Sequence, residues 1–242
     1  MKKYLLLILL LVGGMAAKAQ NIQIHYDFGS ALYENDLAGK PKLTTTVEMF
    51  KADKWGSTYF FVDMDYNLGE GTAKKGISCA YWEISRELRF WEGPLSAHVE
   101  YNGGVTNTCS LENCYLVGPT YTHNSADFSR GFTFSAMYKY IQHCAIFNGR
   151  PNNFQLTGTW YLNFARGKGT FTGFADWWKQ DNAHGKFIFL SEPQIWLNLN
   201  KFKHVDDAFK LSIGSEWELS DNFSGRDGFY CCPTLAVKWT FN

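Results

Sequence analysis

The chain has 242 residues, with 23 Lys and Arg against 23 Asp and Glu, so it has no basic surplus for a nucleic-acid backbone or an anionic lipid surface. Its length suits one domain, and all-β barrels of this size run as single domains. Aromatic residues make up 17% of the chain, with 9 Trp and 13 Tyr, a composition that suits a membrane interface, where one end of a ring is apolar and the other wet.

The first residues read as a leader. Lys2 and Lys3 precede an apolar run from Tyr4 to Met15, followed by Ala17-Lys18-Ala19. A basic segment, a short apolar core and an A-x-A site predict cleavage before Gln20. The run is short for spanning ~30 Å of hydrocarbon, and no Cys follows it to take a lipid. The expected organisation is a signal peptide over 1–19 and one barrel over 20–242. Losing Lys2, Lys3 and Lys18 leaves the remainder mildly acidic.

Alternating segments then recur to the end, near 21–28, 42–51, 57–67, 78–89, 95–102, 113–123, 131–142, 153–164, 169–178, 185–198, 208–219 and 229–241. Successive side chains of a strand point to opposite faces. In the second segment Leu43, Val47 and Met49 oppose Thr44, Thr46 and Glu48. In the third, Phe60, Val62, Met64 and Tyr66 oppose Tyr59, Phe61, Asp63 and Asp65. Later segments repeat this. Leu95, Ala97, Val99 and Tyr101 back onto Ser96, His98, Glu100 and Asn102, and Phe209, Leu211, Ile213, Trp217 and Leu219 back onto Lys210, Ser212, Glu216 and Glu218.

A soluble barrel puts the apolar face inside, whereas a lipid-exposed one reverses this. Three features favour lipid outside. Trp82, Trp91, Trp177, Trp178, Trp217 and Trp239 fall near strand ends, as interface girdles require. The strand number is even, which brings both termini to one side. The chain closes on Leu235, Val237, Trp239 and Phe241 in strict alternation, an ending typical of barrels read by the outer-membrane assembly machinery. The expected fold is therefore all-β, a single-chain transmembrane antiparallel β-barrel of about 12 strands in the cell outer membrane. A secreted lipocalin-like barrel is the soluble alternative.

Some of these strands resemble a known family. Thr46-x-Glu48-x-Phe50, Asp53-Lys54-Trp55, Tyr59-Phe60-Phe61-x-Asp63 and Trp82-Glu83-Ile84-Ser85-Arg86 are similar to the second to fourth strands of Tsx-type nucleoside-specific channels. Ile24-His25-Tyr26-Asp27-Phe28-Gly29 and the closing VKWTF fit more loosely, and past Gly103 only strand count and alternation match. The resemblance implies a monomeric twelve-stranded outer-membrane barrel whose narrow lumen admits nucleosides, with outer-membrane lipid and the barrel-assembly machinery as partners.

A nucleoside offers a flat base and a hydroxylated sugar, so a selective lumen needs aromatic faces and acceptors that bind weakly enough to release. The alternation points Glu48, Asp63, Asp65, Tyr81, Glu83, His98, Glu100, Tyr161 and Trp196 inward as candidate contacts, with Asp176, Lys139 and Lys238 among them. Glu48, Asp63 and Glu83 coincide with the family motif. Inward carboxylates can instead pair with Lys or Arg and fill the lumen, making a plugged scaffold or surface receptor. Of six cysteines, Cys109 and Cys114 are the best candidate disulfide, since they sit in and beside one predicted surface loop. Adjacent Cys231 and Cys232 would bridge only with strain. No C-x-x-C spacing suggests zinc, and no cofactor is expected. Ser96 and His98 share a face, but no third member or G-x-S-x-G accompanies them, so an enzyme is not expected.

Overall fold

The computed structural model describes residues 19–69, 75–142 and 150–241, so the expected leader lies outside the described residues up to residue 18. Thirteen strands follow one another: β1 (Ala19–Asp27), β2 (Leu43–Asp53), β3 (Gly56–Asn67), β4 (Gly76–Leu88), β5 (Leu95–Thr106), β6 (Cys114–Asn124), β7 (Arg130–Ile141), β8 (Asn152–Phe164), β9 (Gly169–Lys179), β10 (Phe187–Ser191), β11 (Gln194–Asn198), β12 (Leu211–Asp221) and β13 (Phe229–Phe241). A short helix, α1 (Gly29–Leu32), follows β1.

Each strand from β1 to β9 pairs antiparallel with the next, and β13 returns to β1 from Gln20↔Phe241 to Asp27↔Thr234. The sheet is a closed barrel. Both β10 and β11 lie between β9 and β12, so they are two halves of one stave. The barrel therefore has the expected twelve staves, with the strand expected over 185–198 divided.

Proline causes the division. Pro193 has no N–H for the ladder, so a strand interior tolerates it only at a bulge or an edge. Here the neighbours bypass it. Glu192 N donates to Phe174 O (3.1 Å), and Trp217 N donates to Pro193 O (3.0 Å). The neighbouring strand β9 leaves room, since a Cβ on Gly173 would lie 2.6 Å from Glu192 O.

Side-chain polarity is inverted relative to a soluble barrel. Along β1, Asn21, Gln23, His25 and Asp27 are buried on the inner face, while Ile24 and Tyr26 are 45% and 44% exposed. Along β7, Ser135, Met137 and Lys139 are buried, while Phe132, Phe134, Tyr138 and Tyr140 face out. Large apolar side chains continue round the outside, a surface that water would penalise by ~25 cal/mol per Å² and hydrocarbon would not.

Aromatic pairs gather at both rims, as with Trp55 and Phe90 (5.6 Å between centroids) at one and Trp177 stacked on Phe187 (4.7 Å) at the other. The rim holding both chain ends has connections 54–55, 89–94, 125–129, 165–168 and 199–210. The opposite rim carries 28–42, 68–75, 107–113, 142–151, 180–186 and 222–228. Most connections beside the termini are short, the pattern of a periplasmic rim. The 199–210 connection departs from it. Phe209, expected on a strand, belongs there and packs edge-on against Trp239 (5.5 Å).

Candidate functional site

The lumen wall built by β2, β3 and β4 combines rings with carboxylates. Register places Glu48 beside Phe61, Thr46 beside Asp63 and Thr44 beside Asp65. It then places Phe61 beside Glu83 and Asp63 beside Tyr81. The rings of Tyr59, Phe61 and Tyr81 run along the wall at 6.0 Å centroid spacings. Hydroxyls hold the acids in place. Thr44 Oγ1 donates to Asp65 (2.6 Å), Thr46 Oγ1 to Asp63 (2.5 Å) and Tyr81 OH to Glu83 (2.6 Å). Glu48 accepts from Gln23 Nε2 (3.0 Å).

Toward the rim with the chain termini, Glu87 accepts from Ser96 Oγ (2.5 Å) and Thr120 Oγ1 (3.1 Å) and lies 2.6 Å from His98 Nδ1. His98 Nε2 is 3.0 Å from Glu100. Ser96 thus donates to a carboxylate and not to His98, so the pair lacks the nucleophile-to-base hydrogen bond that acyl transfer uses.

On the facing wall, Trp196 is 1% exposed and donates from Nε1 to Gln194 (2.9 Å). Lys238 Nζ lies 4.0 Å above its ring, and His25 meets it edge-on at 6.1 Å. Lys139 Nζ lies 4.5 Å above Trp178 and donates to Gln155 (2.7 Å). Asp176 accepts from Thr157 (2.5 Å).

The mouth at the far rim is pinned by the 28–42 connection. Lys40 Nζ sits 2.7 Å from Asp27 and 3.0 Å from Glu218, and Arg226 adds a contact to Glu218 at 2.8 Å. Burial alone would lower the Lys40 pKa, but the Glu218 and Asp27 charges and hydrogen bonds override it and leave it raised. Tyr33 packs edge-on against Tyr230 (5.2 Å), and Leu37 is 3% exposed. Gly29 allows the close approach, because a Cβ there would lie 2.7 Å from Cys232 Sγ.

All nine residues singled out from the sequence face the lumen, but they do not form one cluster. Glu48, Asp63, Asp65, Tyr81 and Glu83 share the β2–β4 wall, while His98 and Glu100 adjoin it on β5. Trp196 is on the facing wall. Tyr161 stands apart near the terminal rim, donating to Asn124 Oδ1 (2.9 Å). Phe61, Glu87, Glu192 and Glu216 were passed over, although the same alternation that selected Asp63 and Glu83 aims them inward. Lys40 had no such signal, because it reaches the lumen from a connection.

The expected Cys109–Cys114 disulfide is absent, and both thiols are free. Cys114 opens β6 on the face shared with buried Leu116. Cys109 lies exposed in the 107–113 connection, its Sγ 3.5 Å from Thr106 Oγ1 and 3.9 Å from Thr108 Oγ1. Those hydroxyls lower its pKa. The two cysteines occupy different surfaces, which the loop's sequence did not reveal.

A family model described as "Domain of unknown function (DUF5020)" matches residues 19–241. No curated protein matches the chain. Among solved structures, the NanC porin superposes with a TM-score of 0.56 at 12% identity, covering 93% of this chain and 100% of that one. The KdgM porin gives a TM-score of 0.51 at 9% identity, with 93% and 100% covered. At these identities the likeness is one of fold.

Proposed function

The chain belongs to the DUF5020 family, and we propose that it is an outer-membrane channel through which small polar solutes pass down their gradient, with nucleosides the leading substrate. The observation that carries this is a closed barrel with large apolar side chains outside and a polar lumen inside. The barrel fold shared with the NanC and KdgM porins supports the general reading. Nucleoside preference rests on the Tyr59–Phe61–Tyr81 ring wall beside Glu48, Asp63 and Glu83. Rings of this kind stack a base, and adjacent carboxylates accept from ribose hydroxyls. Residues 1–19 direct export, the alternating last strand is read by the assembly machinery, and the barrel sits in lipid as a monomer.

Purified protein in a planar bilayer tests this. Discrete conductance steps that added nucleosides block, and sugars do not, are the expected result. Silent bilayers would favour a plugged scaffold or surface receptor, an alternative to which the Lys40 contacts at one side of the mouth lend weight. Protein that stays dispersed without detergent would overturn the membrane placement.

A further inference from the structure

We infer that a hollow in the outer wall, at the rim beside the chain termini, holds one acyl chain of an anionic phospholipid whose headgroup phosphate is taken by Lys168. The inference rests on the membrane placement of the barrel and adds a lipid site to it. The hollow has a volume of about 480 Å³ and is walled by Phe164, Ile195, Leu197, Phe202 and Ile213. All five are large apolar side chains exposed on the outer surface. Register explains the depression. Across β9, β11 and β12, Gly169, Leu197 and Ile213 form one outward row, and Phe171, Ile195 and Ser215 form the next. Gly169 and Ser215 are the small members of rows otherwise filled by large side chains. The bare Gly169 lets Phe164 fold down against the wall, since a Cβ there would lie 2.3 Å from its ring.

Two connections close the rim end of the hollow. The 165–168 connection turns through Ala165, Arg166 and Gly167, all at positive φ (51°, 60° and 79°). Asn198 fastens it to the next connection, donating from its backbone N–H to Lys168 O (2.8 Å) and from Nδ2 to Gly167 O (2.8 Å). The 199–210 connection, long for this rim, brings Phe202 to the hollow, and Lys168 Nζ lies 4.9 Å above the Phe202 ring. Lys168 also lines the hollow. Among the described residues no carboxylate pairs with it. Its stem thus lies along apolar surface while its ammonium stands at the level where a membrane turns polar.

Charge at this rim is concentrated beside the hollow. The 165–168 and 199–210 connections carry Arg166, Lys168, Lys201, Lys203 and Lys210 against Asp206 and Asp207, a formal surplus of three positive charges. The other connections of the same rim, 54–55, 89–94 and 125–129, carry Lys54, Arg89, Glu92 and Asp127 and come to zero. The neutral balance of the whole chain conceals this local surplus. Basic residues at a membrane surface attract anionic headgroups, and here they flank an apolar seat for the chain attached to such a headgroup. A second copy of the protein fits less well, because two rims of like charge would meet. Lys54 repeats the ammonium-on-ring contact at the same rim, 4.7 Å over Trp55, but neither residue lines the hollow.

Native mass spectrometry of the full barrel in detergent, titrated with dimyristoylphosphatidylglycerol or dimyristoylphosphatidylcholine, tests the inference. The glycerol lipid should bind saturably, one per barrel, and persist at collision energies that strip the choline lipid. Lys168→Gln should weaken it about fivefold, the share of one cation at a lipid surface. Leu197→Trp, which fills the hollow with a side chain suited to an interface, should abolish saturable binding while the far-UV circular dichroism stays that of the wild type. Lys54→Gln should bind as the wild type does. Equal retention of the two lipids would overturn the anionic assignment. Saturable binding that survives Leu197→Trp would remove the hollow as its seat, and a loss in Lys54→Gln as large as in Lys168→Gln would reduce the effect to rim charge and sink the site. Protein that stays dispersed without detergent would instead overturn the membrane placement beneath the inference.

Discussion

Replacing Lys40 by Met tests whether the connection between β1 and β2 is held over the mouth by charge. Met keeps the length and the apolar stem but deletes the ammonium that stands 2.7 Å from Asp27 and 3.0 Å from Glu218. At ~3 Å and an effective dielectric near 20, each contact is worth up to about 5 kcal/mol before desolvation. Desolvation returns much of that, since the Lys40 side chain is 17% exposed. Breaking a buried pair while leaving its partners in place costs about 3–5 kcal/mol. Two compensations remain here: Glu218 keeps Arg226 and Asp27 keeps the Gly29 N–H. We expect a loss of about 2–4 kcal/mol, read as a lower denaturant midpoint by tryptophan fluorescence, and a larger mean conductance as the connection lifts. The pH dependence has a definite sign. Because the folded pKa of Lys40 is raised, its contribution is complete below the ordinary lysine value of ~10.4 and is lost as pH climbs from there toward the folded value. The wild type should therefore lose its advantage over Lys40→Met only in alkali. A midpoint within about 0.5 kcal/mol of wild type, with unaltered conductance, would refute the account.

Three further outcomes can be checked. Val99 is 41% exposed on the outer face near the middle of β5, so Val99→Lys should destabilise the barrel by ~2–4 kcal/mol in lipid; refolding yield and urea midpoint in vesicles measure this, and no change would mean the face does not meet hydrocarbon. Phe61→Ala removes the central ring of the Tyr59–Phe61–Tyr81 wall and should weaken nucleoside block about tenfold, from a stacking loss of ~1–3 kcal/mol; equal block in wild type and variant would take the ring out of the site. Cys109, exposed and with its pKa lowered, should react with a polar maleimide in non-reduced protein, whereas Cys109→Ser abolishes fast labelling; wild type that labels only after reduction would restore the disulfide.

Alternation carries most of this fold because one physical rule acts along every stave: lipid outside demands apolar side chains at every second position. Phe132, Phe134, Tyr138 and Tyr140 could be assigned to the outer face from spacing alone, and they lie there. The inward aim of Asp63 and Glu83 follows from the same rule. What spacing could not supply was which inward groups meet. Glu87 joins Ser96, His98 and Thr120 through register across three strands. Lys40 enters from a connection, where no periodicity applies. The break at Pro193 was visible as a residue, but the neighbouring ladder had to be known before its effect on the tenth stave could be. The Cys109–Cys114 expectation failed because nearness in sequence says little about which way two side chains point at the lip of a strand.

The seam between β1 and β13 has a consequence for how the molecule comes into being. Gln20 pairs with Phe241 and Asp27 with Thr234, so the first strand finds its second neighbour only when the last strand exists. Until then, eleven hairpin-linked staves form an open sheet with two raw edges, each presenting unpaired N–H and C=O groups that hydrocarbon cannot satisfy. Closure is the slowest contact to form, because it spans nearly the whole chain. Partial barrels are thus sticky intermediates, and a chain shortened by even the Leu235–Phe241 segment would keep most of its walls yet have no stable state in a bilayer. Insertion and closure must therefore be completed as one event, with the nascent edges sheltered until Phe241 reaches Gln20.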